Sequence, residues 1–169
     1  MGLAVLGTVA GLDSYDCDGF VVGIGDNAIR ASISQSVRSR RRRIVNAIHP
    51  TATLAPDVRL GAGVMICAGA IVNTGAVISD GVILNTGCTI DHHNYIGAHA
   101  HVAPGVHLGG DVRVGEGALL GIGAVVIPGR QVGDWAVVGA GSVVITDIPP
   151  HATAIDVPSR VLERSSSRS

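Results

Sequence analysis

The strongest constraint on the fold is an aliphatic side chain that recurs at every sixth position from residue 48 to residue 144. Two positions earlier the side chain is usually small or modest, as at Ala70, Val82 and Ala118. Residues two apart on a strand point to the same side, so that side must be the core. Such strands cannot bury an apolar side alone, and the pattern predicts a parallel β-helix whose coils cover one another. The seventeen aliphatic positions are Ile48, Leu54, Leu60, Ile66, Val72, Ile78, Leu84, Ile90, Ile96, Val102, Leu108, Val114, Leu120, Val126, Val132, Val138 and Val144.

A second period, of eighteen residues, gives the number of strands in each coil. Glycine follows the aliphatic residue at Gly61, Gly97, Gly115 and Gly133, with Ser79 in the one intervening place. Three hexapeptides per circuit make a triangular coil, and the repeat then contains about five and a half coils. The chain has only one Trp, two Tyr and one Phe, although rings supply much of an ordinary globular core. An interior of Val, Ile, Leu and Ala suits such a thin solenoid.

Charge and hydropathy exclude several classes of partner. The formal net charge is −1 and only 15% of the residues are charged, so no long-range field favours nucleic acid. Residues 60–78 carry no charge, but they contain four glycines and two polar residues, and their apolar residues recur at an interval instead of filling a membrane span. Three cysteines at unrelated spacings, with no secretory leader before them, favour a cytoplasmic location.

The segment before the repeat, residues 1–47, predicts a small partial α/β unit. Residues 20–25 (FVVGIG) should form a short buried strand, and residues 4–6 a second one. A helix should follow with Asp26 or Asn27 as its N-cap. Its apolar stripe is predicted to be Ile29, Ile33 and Val37.

A basic run lies where that helix should end, at Arg38 and residues 40–43. Cations there complement the helix dipole, so a solvated C-terminal turn is favoured over a phosphate site. After the coils, the sequence DIPP breaks the pattern, and residues 158–164 are expected to form a closing helix or strand before a disordered tail at 165–169. The predicted divisions are therefore 1–47, 48–146 for the β-helix, and 147–169 for the cap and tail.

Five of the seven histidines lie between residues 92 and 107, and the register places them. His101 and His107 immediately precede inward residues and should face outward, whereas His92, His93 and His99 should lie at corners of the coil. None belongs in the core, and His99 and His107 are interpreted as solvent-facing. His93 and His99 lie one side of the triangle apart, about 15 to 20 Å at strand rise. One chain cannot close a zinc site with that pair, and no metal is expected.

Several segments resemble one family closely. ILNTGCTIDHHNYIG, HVAPGVHLGGDVRVGEGALLGIGAVV and the closing AIDVPSRV, together with GFVVGIGDNAIR and IVNAIHPTA, are similar to the sialic acid O-acetyltransferase and UDP-4-amino-sugar N-acetyltransferase subfamily of hexapeptide-repeat acyltransferases. The resemblance implies a left-handed β-helix, a homotrimer with active sites between subunits, and transfer of an acetyl group from acetyl-CoA to an amine or hydroxyl of a small-molecule sugar acceptor.

The resemblance also implies roles for particular residues. His92 matches the general base, and Asn85 and Gly25 match positions near the acceptor. The coenzyme side is implied at His101, which would contact the acetyl carbonyl, and at backbone positions Gly110, Ile122 and Ala140. His92 and His101 are half a circuit apart, so a productive site should join two neighbouring subunits.

The sequence departs from the family pattern at three places. His93 stands where an acidic residue usually follows the base, and Asp91 is the candidate to orient the imidazole instead. Asp156 replaces the glycine before the closing Val-Pro. The glycine-rich turn of the Rossmann-like acceptor domain has no counterpart, so residues 1–47 are interpreted as a truncated part of that domain. Either the chain is a fragment, or its acceptor is not a nucleotide sugar.

Two other functions remain open beside the one that the resemblance implies. A zinc lyase of the γ-carbonic anhydrase type shares this fold and takes its ligands from two subunits, although histidines five apart do not occur between residues 85 and 107. A trimeric β-helix that keeps the fold without catalysis is the other alternative, because of His93 and the short N-terminal segment.

Overall fold

The computed structural model describes residues 4–162. The predicted helix is present as α1 (Asn27–Ser39), and Asp26 is its N-cap, since the Asp26 side chain accepts a 2.9 Å hydrogen bond from the Ile29 N–H. A short 3-10 helix precedes it at Val9–Ser14. The two predicted N-terminal strands are wrong. Residues 4–6 have no regular structure, and between residues 20 and 25 only Phe20 forms a bridge, to Ile44. An extended segment needs a paired neighbour to become a strand, and the β-helix offers none here.

The repeat forms the predicted β-helix, with nearly every hexapeptide contributing one two-residue strand. The strands are β1 (Ala47–Ile48), β2 (Thr53–Leu54), β3 (Arg59–Leu60), β4 (Met65–Ile66), β5 (Ile71–Val72), β6 (Val77–Ile78), β7 (Ile83–Leu84), β8 (Thr89–Ile90), β9 (Tyr95–Ile96), β10 (His101–Val102), β11 (His107–Leu108), β12 (Arg113–Val114), β13 (Leu119–Leu120), β14 (Val125–Val126), β15 (Gln131–Val132), β16 (Val137–Val138), β17 (Val143–Val144), β18 (Thr153–Ile155) and β19 (Arg160–Val161).

Every third strand stacks in one of three sheets, which are the faces of a triangular prism. Sheet I has the order β1-β4-β7-β10-β13-β16-β18-β19, sheet II is β2-β5-β8-β11-β14-β17, and sheet III is β3-β6-β9-β12-β15. Within the repeat the pairing is parallel with a shift of eighteen residues, for example Ile83 with His101 and His101 with Leu119. Residues eighteen apart therefore lie in columns along the prism.

The stacking continues past the DIPP sequence with a shorter step. Ile148 bridges Val132, and β18 pairs in parallel with β16, so that Ala154 lies against Val138. The closing segment is a strand and not a helix: β19 pairs antiparallel with β18. The predicted tail at 165–169 lies outside the described residues.

The core is the predicted one, with a difference at its first coil. From Ile66 to Val144 every sixth-position side chain is at most 3% exposed, and most of the positions two before are also fully buried. Leu54 and Leu60 are half-buried and Ile48 is 45% exposed. These first residues have the same chemistry as the others, but no coil covers them on the N-terminal side.

Helix α1 lies against the corner between sheets III and I through an arginine. Arg30 is 1% exposed, whereas Ile29, which the stripe predicted to be inward, is 52% exposed. The Arg30 guanidinium donates to the carbonyls of Gly81 (2.8 Å), His99 (2.6 Å) and Ile24 (2.8 Å). Burial lowers the pKa of Arg30 to about 10, so the group stays charged at neutral pH and its hydrogen bonds are charge-assisted. The helix is thus held by backbone carbonyls of two coils.

The basic run holds the N-terminal segment in place. Arg38, in the last turn of α1, forms a 2.7 Å ion pair with Asp80, and Arg42 lies 5.3 Å from the Phe20 ring centroid. Within residues 4–162 there is no helix of the length and apolarity that a membrane crossing requires.

Candidate active site

The candidate catalytic residues lie at the corner between sheets II and III. We call this group the His92 corner: Asp91, His92, His93, Gly110 and Asp111. Two columns of the eighteen-residue repeat build it, because Gly110 is one coil after His92 and Asp111 is one coil after His93. His93 and Asp111 both take a left-handed conformation, with φ of 58° and 59°. The Asp111 N–H donates to the His92 carbonyl at 3.0 Å and ties the two coils together.

The His92 ring lies directly on Gly110. A Cβ built at Gly110 would be 2.3 Å from His92 Cε1 and 2.4 Å from Nε2, so only glycine leaves room for the ring in this position. Among residues 4–162 the N–H of Gly110 donates to no carbonyl or side chain. An unpaired N–H therefore lies beside an imidazole that is exposed to solvent.

The other imidazole nitrogen of His92 faces His93. The two Nδ1 atoms are 3.1 Å apart, and the rings meet edge to face at an interplanar angle of 75°. Asp91 does not contact the ring. Its carboxylate accepts the His92 backbone N–H at 2.8 Å and the Asn73 amide at 3.2 Å. Asp91 therefore fixes the backbone of His92, and the His92 ring contacts His93 instead.

An acidic group lies behind His93. The Cδ2–Nε2 edge of the His93 ring rests on Gly75, where a Cβ would be 3.0 Å from Nε2. The Gly75 N–H donates to Asp57 at 2.9 Å. The Thr74 hydroxyl and the Gly75 N–H lower the pKa of Asp57, and the His93 charge lowers it slightly further. Asp57 is thus an ionised neighbour of His93, with no hydrogen bond or ion pair between the two side chains, and the sequence analysis missed it.

Asp111 is a second missed acid. Its Oδ2 lies 4.0 Å from His92 Nδ1. One ligand atom from each of His92, His93 and Asp111 lies within 4.8 Å of the other two, so among the residues that the structure describes this group has donors for a metal ion. The pair that the sequence analysis considered and rejected, His93 and His99, is not the pair that converges here. Asp111 lies eighteen positions after His93, and Asp57 lies thirty-six positions before it. The eighteen-residue period could therefore have identified both acids.

The two acceptor-side positions, Asn85 and Gly25, both lie against His101, a coenzyme-side position on sheet I. We call this group the His101 face: Gly25, Asn85 and His101. Asn85 Nδ2 lies 3.1 Å from His101 Nε2, and His101 Nδ1 lies 3.4 Å from the Gly25 carbonyl. Burial, and then the Arg30 charge, lower the pKa of His101. A neutral ring that donates from Nδ1 to Gly25 and accepts at Nε2 from Asn85 satisfies both contacts.

Ile122 and Ala140 lie along the corner that follows sheet I, one coil apart. Ile122 is 63% exposed and its carbonyl accepts the Gly141 N–H at 2.8 Å. Gly110, which the resemblance grouped with these two backbone positions, lies instead in the His92 corner. His101 is on sheet I, and His92 is at the corner formed by the other two sheets. One chain cannot bring the two histidines together.

The other histidines agree only partly with the sequence analysis. None of the five histidines that the register placed is in the core, and His107 is exposed, as predicted. His99 is not freely solvent-facing: it lies on Gly81, and its buried Nδ1 has no hydrogen-bond partner among the described residues. Burial lowers the pKa of His99. Its position follows from α1, which covers this corner.

Comparison with known proteins identifies the class. Residues 111–146 match the family described as bacterial transferase hexapeptide (six repeats). PerB from Caulobacter crescentus, solved with CoA and GDP-perosamine, is 42% identical, with a TM-score of 0.89 and coverage of 92% of this chain and 75% of that chain. The acetyltransferase domain of PglB from Neisseria gonorrhoeae, solved with acetyl-CoA, is 36% identical, with a TM-score of 0.93 and coverage of 95% of this chain and 80% of that chain.

These likenesses place the chain among the left-handed β-helix acyltransferases built from hexapeptide repeats. A shorter match is to the galactoside O-acetyltransferase of Escherichia coli, 48% identical over 44 residues, or 26% of this chain and 22% of that protein. The chain spans about a fifth of the length of the curated relatives it matches. By its likeness to PerB and PglB it belongs to the subfamily of sialic acid O-acetyltransferases and UDP-4-amino-sugar N-acetyltransferases.

Proposed function

We propose that this chain transfers the acetyl group of acetyl-CoA to an amino group of a nucleotide-linked sugar, with His92 as the general base. The observation that carries the proposal is the likeness, over more than nine-tenths of this chain, to PerB with CoA and GDP-perosamine. The same likeness favours acetyl transfer over a zinc lyase or a scaffold without catalysis. An amine is favoured over a hydroxyl because PerB was solved with an amino-sugar nucleotide.

The contacts of His93 support the required tautomer of His92. Only one proton can lie between Nδ1 atoms 3.1 Å apart. We infer that His93 carries its proton on Nε2, at the ring edge that rests on Gly75 near the ionised Asp57, which leaves His93 Nδ1 as an acceptor. His92 then donates from Nδ1, and its Nε2 carries the lone pair that a base needs. His93 thus orients the His92 ring in place of the acidic residue that usually follows the base, and Asp91 holds the His92 backbone.

The reaction follows from this arrangement. The acceptor nitrogen attacks the thioester carbonyl, His92 Nε2 takes the proton that the nitrogen loses, and the Gly110 N–H donates to the oxygen that becomes negative. When the carbon–sulfur bond breaks, the His92 imidazolium returns the proton to the leaving thiolate. The products are the N-acetylated sugar and CoA with a free thiol.

We further propose a homotrimer in which the His92 corner of one subunit meets the His101 face of the next. The opposite positions of His92 and His101 in one chain support this arrangement. In the assembled site Asn85, His101 and Gly25 would face the acceptor and the acetyl carbonyl, and Ile122 and Ala140 would line the coenzyme groove. The Gly25 carbonyl is held in this position by hydrogen bonds from Arg30, at 3.2 Å, and from His101.

The test is release of free thiol from acetyl-CoA in the presence of nucleotide-linked 4-amino sugars. His92→Ala should lower kcat by about 100-fold to 10,000-fold, which is the usual contribution of a general base. His107→Ala, on an exposed histidine of sheet II, is the matched control and should leave the rate unchanged. A His92→Ala variant with the wild-type rate would remove His92 from the mechanism.

A mixing experiment tests the shared site. His92→Ala subunits and His101→Ala subunits are each expected to be nearly inactive as pure trimers. After they are mixed and reassembled, about one interface in four would pair an intact His92 with an intact His101, so about a quarter of the activity should return. No recovery of activity in the reassembled mixed trimers would refute a site shared between subunits.

A further inference from the structure

Three metal-binding side chains converge at the His92 corner. His92 Nδ1 lies 3.1 Å from His93 Nδ1 and 4.0 Å from Asp111 Oδ2. Ligand atoms of all three residues lie within 4.8 Å of one another, and all three side chains are exposed. The acetyl-transfer chemistry uses His92 and His93 but has no use for Asp111, so a second explanation of this grouping is needed.

The distances between the ligand atoms fit a small ion with tetrahedral coordination. Nitrogen and oxygen ligands lie about 2.0 to 2.2 Å from zinc. Two such ligands at the tetrahedral angle are then about 3.3 to 3.6 Å apart. The observed 3.1 and 4.0 Å lie on either side of that value. Asp111 is 68% exposed, so a small rotation of its side chain is enough to complete the geometry.

The backbone holds the donors in this arrangement. His93 and Asp111 occupy the same corner position in successive coils, each with φ near 60°. The N–H of Asp111 is bonded to the His92 carbonyl, and the His92 N–H to Asp91. The backbone positions of three ligands from two adjacent coils are therefore fixed before any ion arrives, which lowers the entropy that binding must overcome.

We propose that His92, His93 and Asp111 bind a divalent transition-metal ion of the zinc type, and that the bound ion blocks His92. Two imidazoles and a carboxylate suit zinc, cobalt, nickel or copper, and they suit magnesium and calcium poorly. A neutral imidazole that binds a metal through Nδ1 carries its proton on Nε2. His92 then has no free lone pair, and acetyl transfer stops.

The binding test does not depend on acetyl transfer. Tag-free protein is titrated with zinc by calorimetry, and with cobalt by following the visible absorption that a tetrahedral site produces. We expect one zinc per chain and no heat with magnesium. Asp111→Asn keeps a residue type that tolerates φ near 60° but removes a ligand. It should weaken zinc binding more than 10-fold, since even a partner outside the ligand set is worth about 10-fold to 100-fold.

His107→Asn is the matched control, because it removes an exposed histidine outside the cluster and should leave zinc affinity unchanged. The proposal fails if zinc does not bind, if Asp111→Asn binds zinc as tightly as the parent protein, or if both variants weaken binding equally. The site would stand on these data even if the chain proved inactive with every sugar tried.

The inhibition test uses the proposed reaction. Zinc should slow thiol release by the parent protein, and a chelator should restore it. In Asp111→Asn the inhibitory zinc concentration should rise by the same factor as the dissociation constant. If zinc occupies the site and the rate does not change, the proposed blocking of His92 is refuted.

Discussion

A single methyl group at Gly110 tests whether the position of His92 is catalytic. In Gly110→Ala the new Cβ would lie 2.3 Å from His92 Cε1, whereas ordinary contact begins near 3.4 Å. The obstacle is an exposed side chain, so the ring can swing away at little cost to stability. It must move by about 1 Å, and a misplacement of that size lowers catalysis by about 100-fold.

Substitutions at two other glycines serve as controls for Gly110→Ala. A Cβ at Gly115 would lie 2.4 Å from the backbone nitrogen of Asp134, which cannot move aside, so Gly115→Ala should lower the melting temperature. A Cβ at Gly23 meets nothing within 4 Å, so Gly23→Ala should change neither stability nor rate. Melting temperature, kcat and KM are measured for all three variants. Wild-type kcat in a folded Gly110→Ala protein would refute the assignment of His92 as the base.

Three further outcomes follow from the structure. His93→Gly, which suits the left-handed backbone but removes the Nδ1 acceptor, should lower kcat by about 5-fold to 10-fold with little change in KM, and His93→Asn should restore part of it through its amide oxygen. Leu84→Ala, at a fully buried position, should lower the free energy of unfolding by about 2 to 5 kcal/mol in denaturant titrations, and the half-buried Leu54→Ala clearly less. Burial lowers the pKa of His101 below its ordinary 6.5. As the pH drops below 6.5 the unfolded chain therefore binds a proton at this residue before the folded chain does, and the stability of the fold decreases. His101→Asn should make the melting temperature less dependent on pH in this range.

The fold could be predicted because the hexapeptide pattern is a direct record of which side chains point inward. From Ile66 to Val144 the predicted core position is buried in every coil. Ile48 obeys the same pattern and is still 45% exposed. Whether an inward residue is covered depends on the coil beside it, and a single hexapeptide contains no information about its neighbours.

The N-terminal segment could be predicted only where the signal was local. The N-cap Asp26 and its helix are encoded within a few residues, and both are present. The buried face of that helix is not local, because Arg30 is buried by carbonyls of Gly81 and His99, 51 and 69 positions away. A helix stripe deduced from hydrophobicity alone must place Ile29 inward and Arg30 outward, and both placements are wrong.

Part of the candidate site could be predicted from the columns of residues eighteen positions apart. The register put His92 and His93 at a corner, and the same arithmetic would have added Asp57 and Asp111. It could not show that Asp91 bonds to backbone instead of the imidazole, since that depends on a side-chain rotamer. Nor could it show that Asn85 and Gly25 engage both ring nitrogens of His101.

The triangular coil also explains why the proposed active site requires two subunits. Residues separated by eighteen share a corner, whereas His92 and His101, nine positions apart, lie on opposite sides of the prism. No rearrangement short of unwinding the coils can join them within one chain. Each coil nevertheless buries its own aliphatic core, with side chains such as Leu84 and Ile90 fully covered in the single chain. In the proposed trimer, folding and catalysis would therefore depend on different contacts, and a substitution that prevents subunits from associating should abolish acetyl transfer while the β-helix stays folded.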